Sequence, residues 1–136
     1  GDVGPLQRLG ESLGVGSRIS WLGPRRDIER WYAAADVCVL PSRYEPFGNV
    51  HLEALASGLP IVTSTEAGGR EVIEEGVNGA VVAPRDPAAI AAALMGWRPG
   101  EGRRATTVID AARKAAEPFT YAAQVAGFAR IYANFP

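Results

Sequence analysis

Short apolar runs alternate with helical patterns along the chain as far as about residue 97. Strands that are apolar on both faces and separated by helices pair in parallel, with helices covering both sides of the sheet. The alternation therefore predicts an α/β fold, a partial doubly wound (Rossmann-like) parallel sheet of about four strands flanked by helices. The predicted strands span residues 18–23, 37–41, 60–64 and 80–83.

Helical patterns separate these strands and continue after the last of them. Pro24 can open the second helix, because proline is tolerated in a first turn. Thr120 can cap the last helix, whose apolar face we expect to pack. The predicted helices span 5–13, 24–35, 49–57, 70–75, 86–94, 103–116 and 121–132, with a loop at 97–102. Apolar residues that share one helical face form a stripe on two of these helices. The stripe of the second helix is Ile28, Trp31, Tyr32 and Ala35, and that of the last is Tyr121, Val125, Phe128 and Tyr132.

Composition and charge restrict the class of protein. The 136 residues suit a single domain, in which we interpret 1–97 as the Rossmann-like part and 103–133 as C-terminal helices. The formal net charge of −1 gives no basic field, which argues against nucleic acid as a partner. Since no apolar stretch could span a membrane and the N-terminus lacks a signal-peptide pattern, we expect a cytoplasmic protein.

Two carboxylates flank a glycine turn where the second strand gives way to a helix. Glu45 precedes the turn at Gly48, and Glu53 follows it. In open α/β sheets, ligands bind at the carboxyl ends of the strands, where the chain passes from a strand into a helix. The helix end offers N–H donors to an anion, and the carboxylates accept hydrogen bonds from hydroxyls. A ligand that carries both phosphate and sugar, such as a sugar nucleotide, fits this chemistry.

Each carboxylate also has a simpler interpretation. Taken alone, Glu45 would be interpreted as a solvated loop residue. Pro46 and Gly48 shape the turn around it, however, and this favours a binding site. Glu53 lies four residues after Asn49 on one helical face, where it could accept two ribose hydroxyls. It could equally stabilise the helix dipole, by about 0.3–1 kcal/mol. Spacing alone leaves both interpretations of Glu53 open.

Other reactive residues favour structural roles. His51, the only histidine, fits a packed or hydrogen-bonded helix residue better than a catalytic base. Cys38, the only cysteine, lies in an apolar run and is expected to be a buried, inert thiol. With no second histidine or cysteine, we expect no metal site of the zinc type. Gly68 and Gly69 precede a short helix and favour a tight turn over an anion site.

The spacing of Glu45 and Glu53, with seven residues between them, is the most specific motif of the chain. Segments 31–42, 45–54, 58–62, 68–69, 71–73 and 76–79 extend the match. From about residue 15 to 84, and more weakly to the C-terminus, the chain resembles the C-terminal, donor-binding domain of retaining glycosyltransferases of the GT-B fold. That domain belongs to the glycosyl transferases group 1 family.

The resemblance implies a role for each matching residue. Glu45 resembles the catalytic-site glutamate that contacts hydroxyls of the donor sugar. Glu53 resembles the glutamate that binds the ribose of the nucleotide. The family uses neither an obligatory metal nor a prosthetic group. The backbone of Phe47, Gly48, Asn49 and Val50 would hold the sugar and diphosphate, and Leu22 and Gly23 fall where the family contacts the base.

The resemblance also implies an activity for the intact enzyme. It would transfer a sugar from a nucleotide-diphosphate sugar to a hydroxyl of a sugar, lipid or polysaccharide acceptor, with retention of anomeric configuration. Its location would be cytoplasmic, or peripheral to the inner membrane. The alternative is a non-catalytic module that binds a nucleotide sugar or assists assembly. A phosphorylase or epimerase on the same architecture stays open, whereas the phosphate-ready helix end argues against glycoside hydrolysis.

The chain departs from the family pattern at its start. In the family, the domain begins with two more strands, and a Gly-Arg and a Lys between them grip the diphosphate. Residues 1–5 resemble the loop after the second strand, so we expect these strands, these basic residues and the N-terminal acceptor domain to be absent. In the family's strand order, the two missing strands would lie in the sheet between strands 18–23 and 37–41. We expect exposed sheet edges that favour a homo-oligomer, and little or no activity from this chain alone. The last helix, which in the family packs partly across to the other domain, could also expose its aromatic face.

Overall fold

A three-stranded parallel sheet lies at the centre of the computed structural model, which describes residues 2–97 and 106–135. The strands pair in chain order, β1 (Cys38–Leu40) with β2 (Ile61–Ser64) and β2 with β3 (Gly79–Val82). Cys38 pairs with Ile61, which pairs with Gly79 in turn. The predicted parallel arrangement is confirmed, and it places the carboxyl ends of all three strands at the same edge.

Six helices lie within the described ranges. Over those same residues, none of them combines the length and the apolar character that crossing a membrane requires. Single 3₁₀ turns occur at Gly16–Arg18, Gly68–Val72 and Glu117–Phe119. The helices are α1 (Gly4–Ser12), α2 (Ile28–Ala34), α3 (Asn49–Ala56), α4 (Pro87–Met95), α5 (Thr106–Ala116) and α6 (Tyr121–Ala133).

The core has one apolar cluster on each face of β2. Neighbouring residues of a strand point to opposite faces, and here Ile61 enters one cluster and Val62 the other. The Ile61 cluster includes Leu55 of α3 and packs α3 against α5. The Val62 cluster includes the buried Trp97, with α4 beside it. Burial on both faces explains why β2 carries apolar residues at successive positions.

The predicted strand at 18–23 does not form. A 3₁₀ turn at Gly16–Arg18 leads into an irregular segment that continues to Asp27, with Trp21 and Leu22 exposed. The N–H and C=O groups of a strand need a neighbouring strand, and the described part of the chain supplies none beside this segment. The sheet therefore has three strands in the described residues instead of the predicted four.

Two helix predictions also need correction. The helix expected from Pro24 begins at Ile28, because the backbone of Asp27, the N-cap residue, is not helical, with a φ of −106° and a ψ of 40°. The helix expected at 70–75 is the 3₁₀ turn Gly68–Val72, which is too short to nucleate an α-helix. The predicted loop residues 98–102 and helix residues 103–105 lie outside the described residues.

The apolar face of α6 is exposed, although the stripe predicted a packing face. Tyr121 is 88% exposed and Val125 66%. Periodicity indicates that a face can be buried, but no element of the described chain covers this one. The predicted cap is confirmed, since the Ala123 N–H donates to the Thr120 hydroxyl oxygen at 3.2 Å.

Replacing the fully buried Leu55 by alanine is expected to destabilise the chain by about 2–5 kcal/mol, because it leaves a cavity between α3 and β2. The matched change Leu6→Ala, at a residue 55% exposed, is expected to cost less than about 0.5 kcal/mol. Urea denaturation of both variants measures the difference. Equal losses would contradict this description of the core.

Candidate functional site

The loops that leave β1 and β2 are joined beyond the carboxyl ends of these strands. Glu45 forms a single parallel bridge with Ala67, and the Gly68 N–H donates to the Glu45 carbonyl oxygen at 2.8 Å. Closer to the strands, the Ser64 hydroxyl donates to the Ser42 carbonyl oxygen. These bonds continue the pairing of the two strands into their loops. The predicted site residue Glu45 is thereby fixed at the carboxyl edge of the sheet.

Gly48 forms the turn between Glu45 and α3. Its φ of 71° lies in the left-handed region, and a Cβ atom there would stand 2.9 Å from the Glu45 Cγ atom. The side chain of Glu45 therefore lies against Gly48 at the N-terminus of α3. Gly48 is also the N-cap residue, and no side chain caps the helix there. The first-turn N–H groups of α3 thus meet no capping side chain, which suits an anion.

Gly68 and Gly69 allow the second loop to approach the first. A Cβ atom on Gly68 would overlap the carbonyl oxygen of Pro46. One on Gly69 would overlap the ring of His51. The interpretation of these glycines as a tight turn agrees with this packing, because any side chain would separate the two loops.

His51 is fully buried and bonds the Gly48 turn to the sheet. Its Nδ1 atom lies 2.9 Å from the carbonyl oxygen of Gly48, which can only accept, so Nδ1 donates. In the neutral ring, Nε2 then accepts from the Thr63 hydroxyl at 2.7 Å. The Leu40 carbonyl, 3.3 Å from the same hydroxyl, is the weaker acceptor. The predicted hydrogen-bonded role of His51 is confirmed, and it anchors the Gly48 turn to β2.

Glu53 lies exposed on α3, one turn after Asn49, and contacts Tyr32 of α2. The Tyr32 hydroxyl donates to the Glu53 Oε2 atom at 3.1 Å. Burial, the hydrogen bond to Glu53 and the charge of that carboxylate together raise the pKa of Tyr32 to about 12. Tyr32 therefore stays protonated near neutral pH. The sequence pattern placed Tyr32 only on a packing face, although the hydroxyl of a partly buried tyrosine usually finds a polar partner.

A cleft of about 670 Å³ opens beside Glu53, between α3 and the segment that leads into α6. The rings of Phe47 and Phe119 lie 5.9 Å apart between centroids, so the C-terminal segment packs on the Gly48 turn. Nothing in the sequence pattern signalled this contact, because Phe119 belongs to a short segment without periodicity. The lining includes Phe47, Asn49, Glu53, Phe119, Tyr121 and Gln124.

The structure gathers most of the predicted site residues and leaves two apart. Leu22 and Gly23 lie on the exposed irregular segment before α2, and Gly23 has a φ of 63°. Their predicted contact with a base stays a prediction. The six residues that the structure brings together at the start of α3 are Glu45, Phe47, Gly48, Asn49, Val50 and Glu53.

The thiol and metal predictions concern groups outside this arrangement. Burial raises the pKa of the Cys38 thiol to about 11, so it stays protonated at neutral pH, as a poorly reactive thiol does. The described residues contain no cluster of three or more histidine, cysteine or carboxylate side chains that could hold a metal ion.

Comparison with known proteins identifies the family. Residues 1–97 match the family described as Glycosyl transferases group 1, and the chain therefore belongs to that family. A D-inositol 3-phosphate glycosyltransferase of Xylanimonas cellulosilytica is 38% identical over 134 residues, which are 97% of this chain and 32% of that protein. An uncharacterised glycosyltransferase of Methanocaldococcus jannaschii is 44% identical over 88 residues, 63% of this chain and 23% of that protein.

A solved structure shares the fold. HepE of Anabaena, in complex with UDP-glucose, superimposes with a TM-score of 0.86 at 28% identity, covering 98% of this chain and 37% of that one. This chain thus spans 37% or less of the three proteins compared. The predicted resemblance and the predicted fold class, a partial Rossmann-like α/β domain, are both confirmed.

Gly68→Ala is expected to destabilise the chain by about 1–3 kcal/mol, because the added methyl group must push the loop at Pro46 away. Gly127→Ala in α6 is the control. Its Cβ atom would meet nothing within 4 Å, and the change should stabilise the helix by up to about 1 kcal/mol. Thermal and urea unfolding measure both. A Gly68→Ala variant as stable as the parent chain would contradict the close contact of the loops.

Proposed function

We propose that this chain binds the nucleotide-diphosphate-sugar donor of a glycosyltransferase, and that the intact enzyme transfers the sugar to an acceptor hydroxyl with retention. The observation that carries the proposal is the Gly48 turn. It places the carboxylate of Glu45 at a helix start without a side-chain cap, with the carboxylate of Glu53 one turn further along α3. Acceptors for sugar hydroxyls thus flank donors for a diphosphate. The UDP-glucose complex of HepE supports this choice of ligand.

The diphosphate is assigned to the N-terminus of α3. The backbone N–H groups of Phe47, Gly48, Asn49 and Val50 surround the point where the loop enters the helix. A helix N-terminus carries partial positive charge, and it stabilises negative charge that grows on a leaving diphosphate. Because the helix N-terminus stabilises the diphosphate, the proposed function includes neither a metal ion nor a prosthetic group.

The nucleoside is assigned to the side of α3 that faces α2. Glu53 is exposed, and its carboxylate has acceptor sites for both ribose hydroxyls. Leu22 and Gly23, assigned to the base, precede α2 in the chain, and α2 reaches Glu53 through Tyr32. This connection supports a nucleoside site in which the segment before α2 and the carboxylate of Glu53 hold one ligand.

The donor sugar is assigned to Glu45. Its side chain lies over Gly48, next to the proposed diphosphate site, so its carboxylate can accept from hydroxyls of a sugar attached to that diphosphate. Glu45 orients the sugar there and does not act as a covalent nucleophile. Retention of configuration belongs to the intact enzyme, since this chain spans about a third of the relatives that it matches over most of its length.

The remaining partners also belong to the proposal. The acceptor is a sugar, lipid or polysaccharide, and the intact enzyme works in the cytoplasm or at the periphery of the inner membrane. By itself, this chain binds donor with little or no transfer. Strand β1 lies at an edge of the sheet with Val39 44% exposed, which supports association into a homo-oligomer through that edge.

Glu53→Ala is expected to weaken nucleotide binding by about 1–3 kcal/mol, because it leaves the ribose hydroxyls without acceptors. Ligand-observed NMR with UDP-, GDP- and ADP-sugars measures the affinities and identifies the base. Glu71→Ala, at an exposed glutamate of the 3₁₀ turn after β2, is the control and should bind like the parent chain. An affinity unchanged by Glu53→Ala would remove Glu53 from the site.

Glu45→Ala is expected to weaken the binding of the sugar part of the donor and to leave the binding of the nucleotide part unchanged. Its affinity for UDP-glucose should fall by about 1–3 kcal/mol, whereas its affinity for UDP should change by less than about 0.5 kcal/mol. The same titrations, with UDP and UDP-glucose on one variant, provide an internal control. Equal losses for both ligands would contradict the assignment of Glu45 to the donor sugar.

A further inference from the structure

The hydroxyl of Tyr32 contacts the carboxylate that the proposed function assigns to ribose. Tyr32 lies on α2 and Glu53 on α3, 21 residues apart in the chain, and the hydrogen bond joins the two helices at 3.1 Å. The ring of Tyr32 packs against the core cluster that contains Leu55 and Ile61. The ring is therefore held by the core, while its hydroxyl reaches the exposed side of α3.

Glu53 needs such a contact to keep one orientation. An exposed glutamate side chain samples several rotamers, and a ligand that selects one of them loses affinity through the entropy of ordering. The bond from Tyr32 reduces this freedom before any ligand arrives. A carboxylate has about four acceptor positions, so one bond at Oε2 leaves the others for hydroxyls.

We propose that Tyr32 is a positioning residue that holds Glu53 ready for the two hydroxyls of ribose, and so favours ribonucleotides over 2′-deoxyribonucleotides. This inference rests on the proposed function. Tyr32 acts through Glu53 and contacts no substrate itself. Because its pKa is raised to about 12, the hydroxyl keeps its proton, and remains a donor, across the neutral pH range.

The hydroxyl and the ring of Tyr32 have separable roles. Tyr32→Phe keeps the ring that packs against the core and removes only the donor to Glu53. A residue with a purely structural role would change the stability of the fold, or the affinity for all nucleotides alike. Discrimination between ribose and 2′-deoxyribose changes only if the orientation of Glu53 matters.

The test compares UDP, ADP and GDP with their 2′-deoxy counterparts by isothermal titration, using the base that binds most tightly. The parent chain should prefer the ribonucleotide. Tyr32→Phe should reduce that preference roughly three- to tenfold, the effect of losing one hydrogen bond, with an unfolding midpoint close to that of the parent. Tyr132→Phe, at a residue 73% exposed on α6, should leave the preference unchanged.

A double-mutant cycle with Glu53→Ala completes the test. If Tyr32 acts through Glu53, Tyr32→Phe should cause no further change in the Glu53→Ala background. An unchanged preference in Tyr32→Phe, or the same loss with and without Glu53, would overturn the inference while the proposed function stands. A parent chain that binds no nucleotide, or a preference unaffected by Glu53→Ala, would instead overturn the proposed function itself.

Discussion

The hydrogen bond from the Gly68 N–H to the Glu45 carbonyl oxygen joins the loops that follow β1 and β2, and the site depends on it. The loops can come this close only because Gly68 and Gly69 have no side chains. The ring of His51 lies against Gly69 and bonds the Gly48 carbonyl oxygen. A single close approach of backbone thus fixes both the position of Glu45 and the start of α3.

The parts of the fold that the sequence could predict are those with strong local signals. The strands at 37–41, 60–64 and 80–83 are apolar on both faces, and each is confirmed within a residue or two. The segment 18–23 has a similar pattern and forms no strand, because a local pattern does not report whether a neighbouring strand is present. The exposed face of α6 has the same cause, since amphipathic spacing does not supply the partner that covers it.

The same distinction between local signals and distant contacts applies to the site. The spacing of Glu45 and Glu53 around Gly48 could be read from the sequence, because the groups lie within one turn and one helix start. The bond from Tyr32 to Glu53 and the contact of Phe47 with Phe119 could not, because each joins segments far apart in the chain. Tyr32 extends the predicted site towards α2, and Phe119 extends it towards the C-terminal segment.

In the proposed function, the start of α3 holds the diphosphate of a nucleotide sugar. Mapping backbone amide shifts in two-dimensional ¹⁵N NMR spectra during titration with UDP-glucose tests it most directly. If these amides bind the diphosphate, the largest saturable shifts should occur at Phe47, Gly48, Asn49 and Val50. Saturable binding that leaves these four amides unmoved and shifts residues elsewhere on the chain would contradict it.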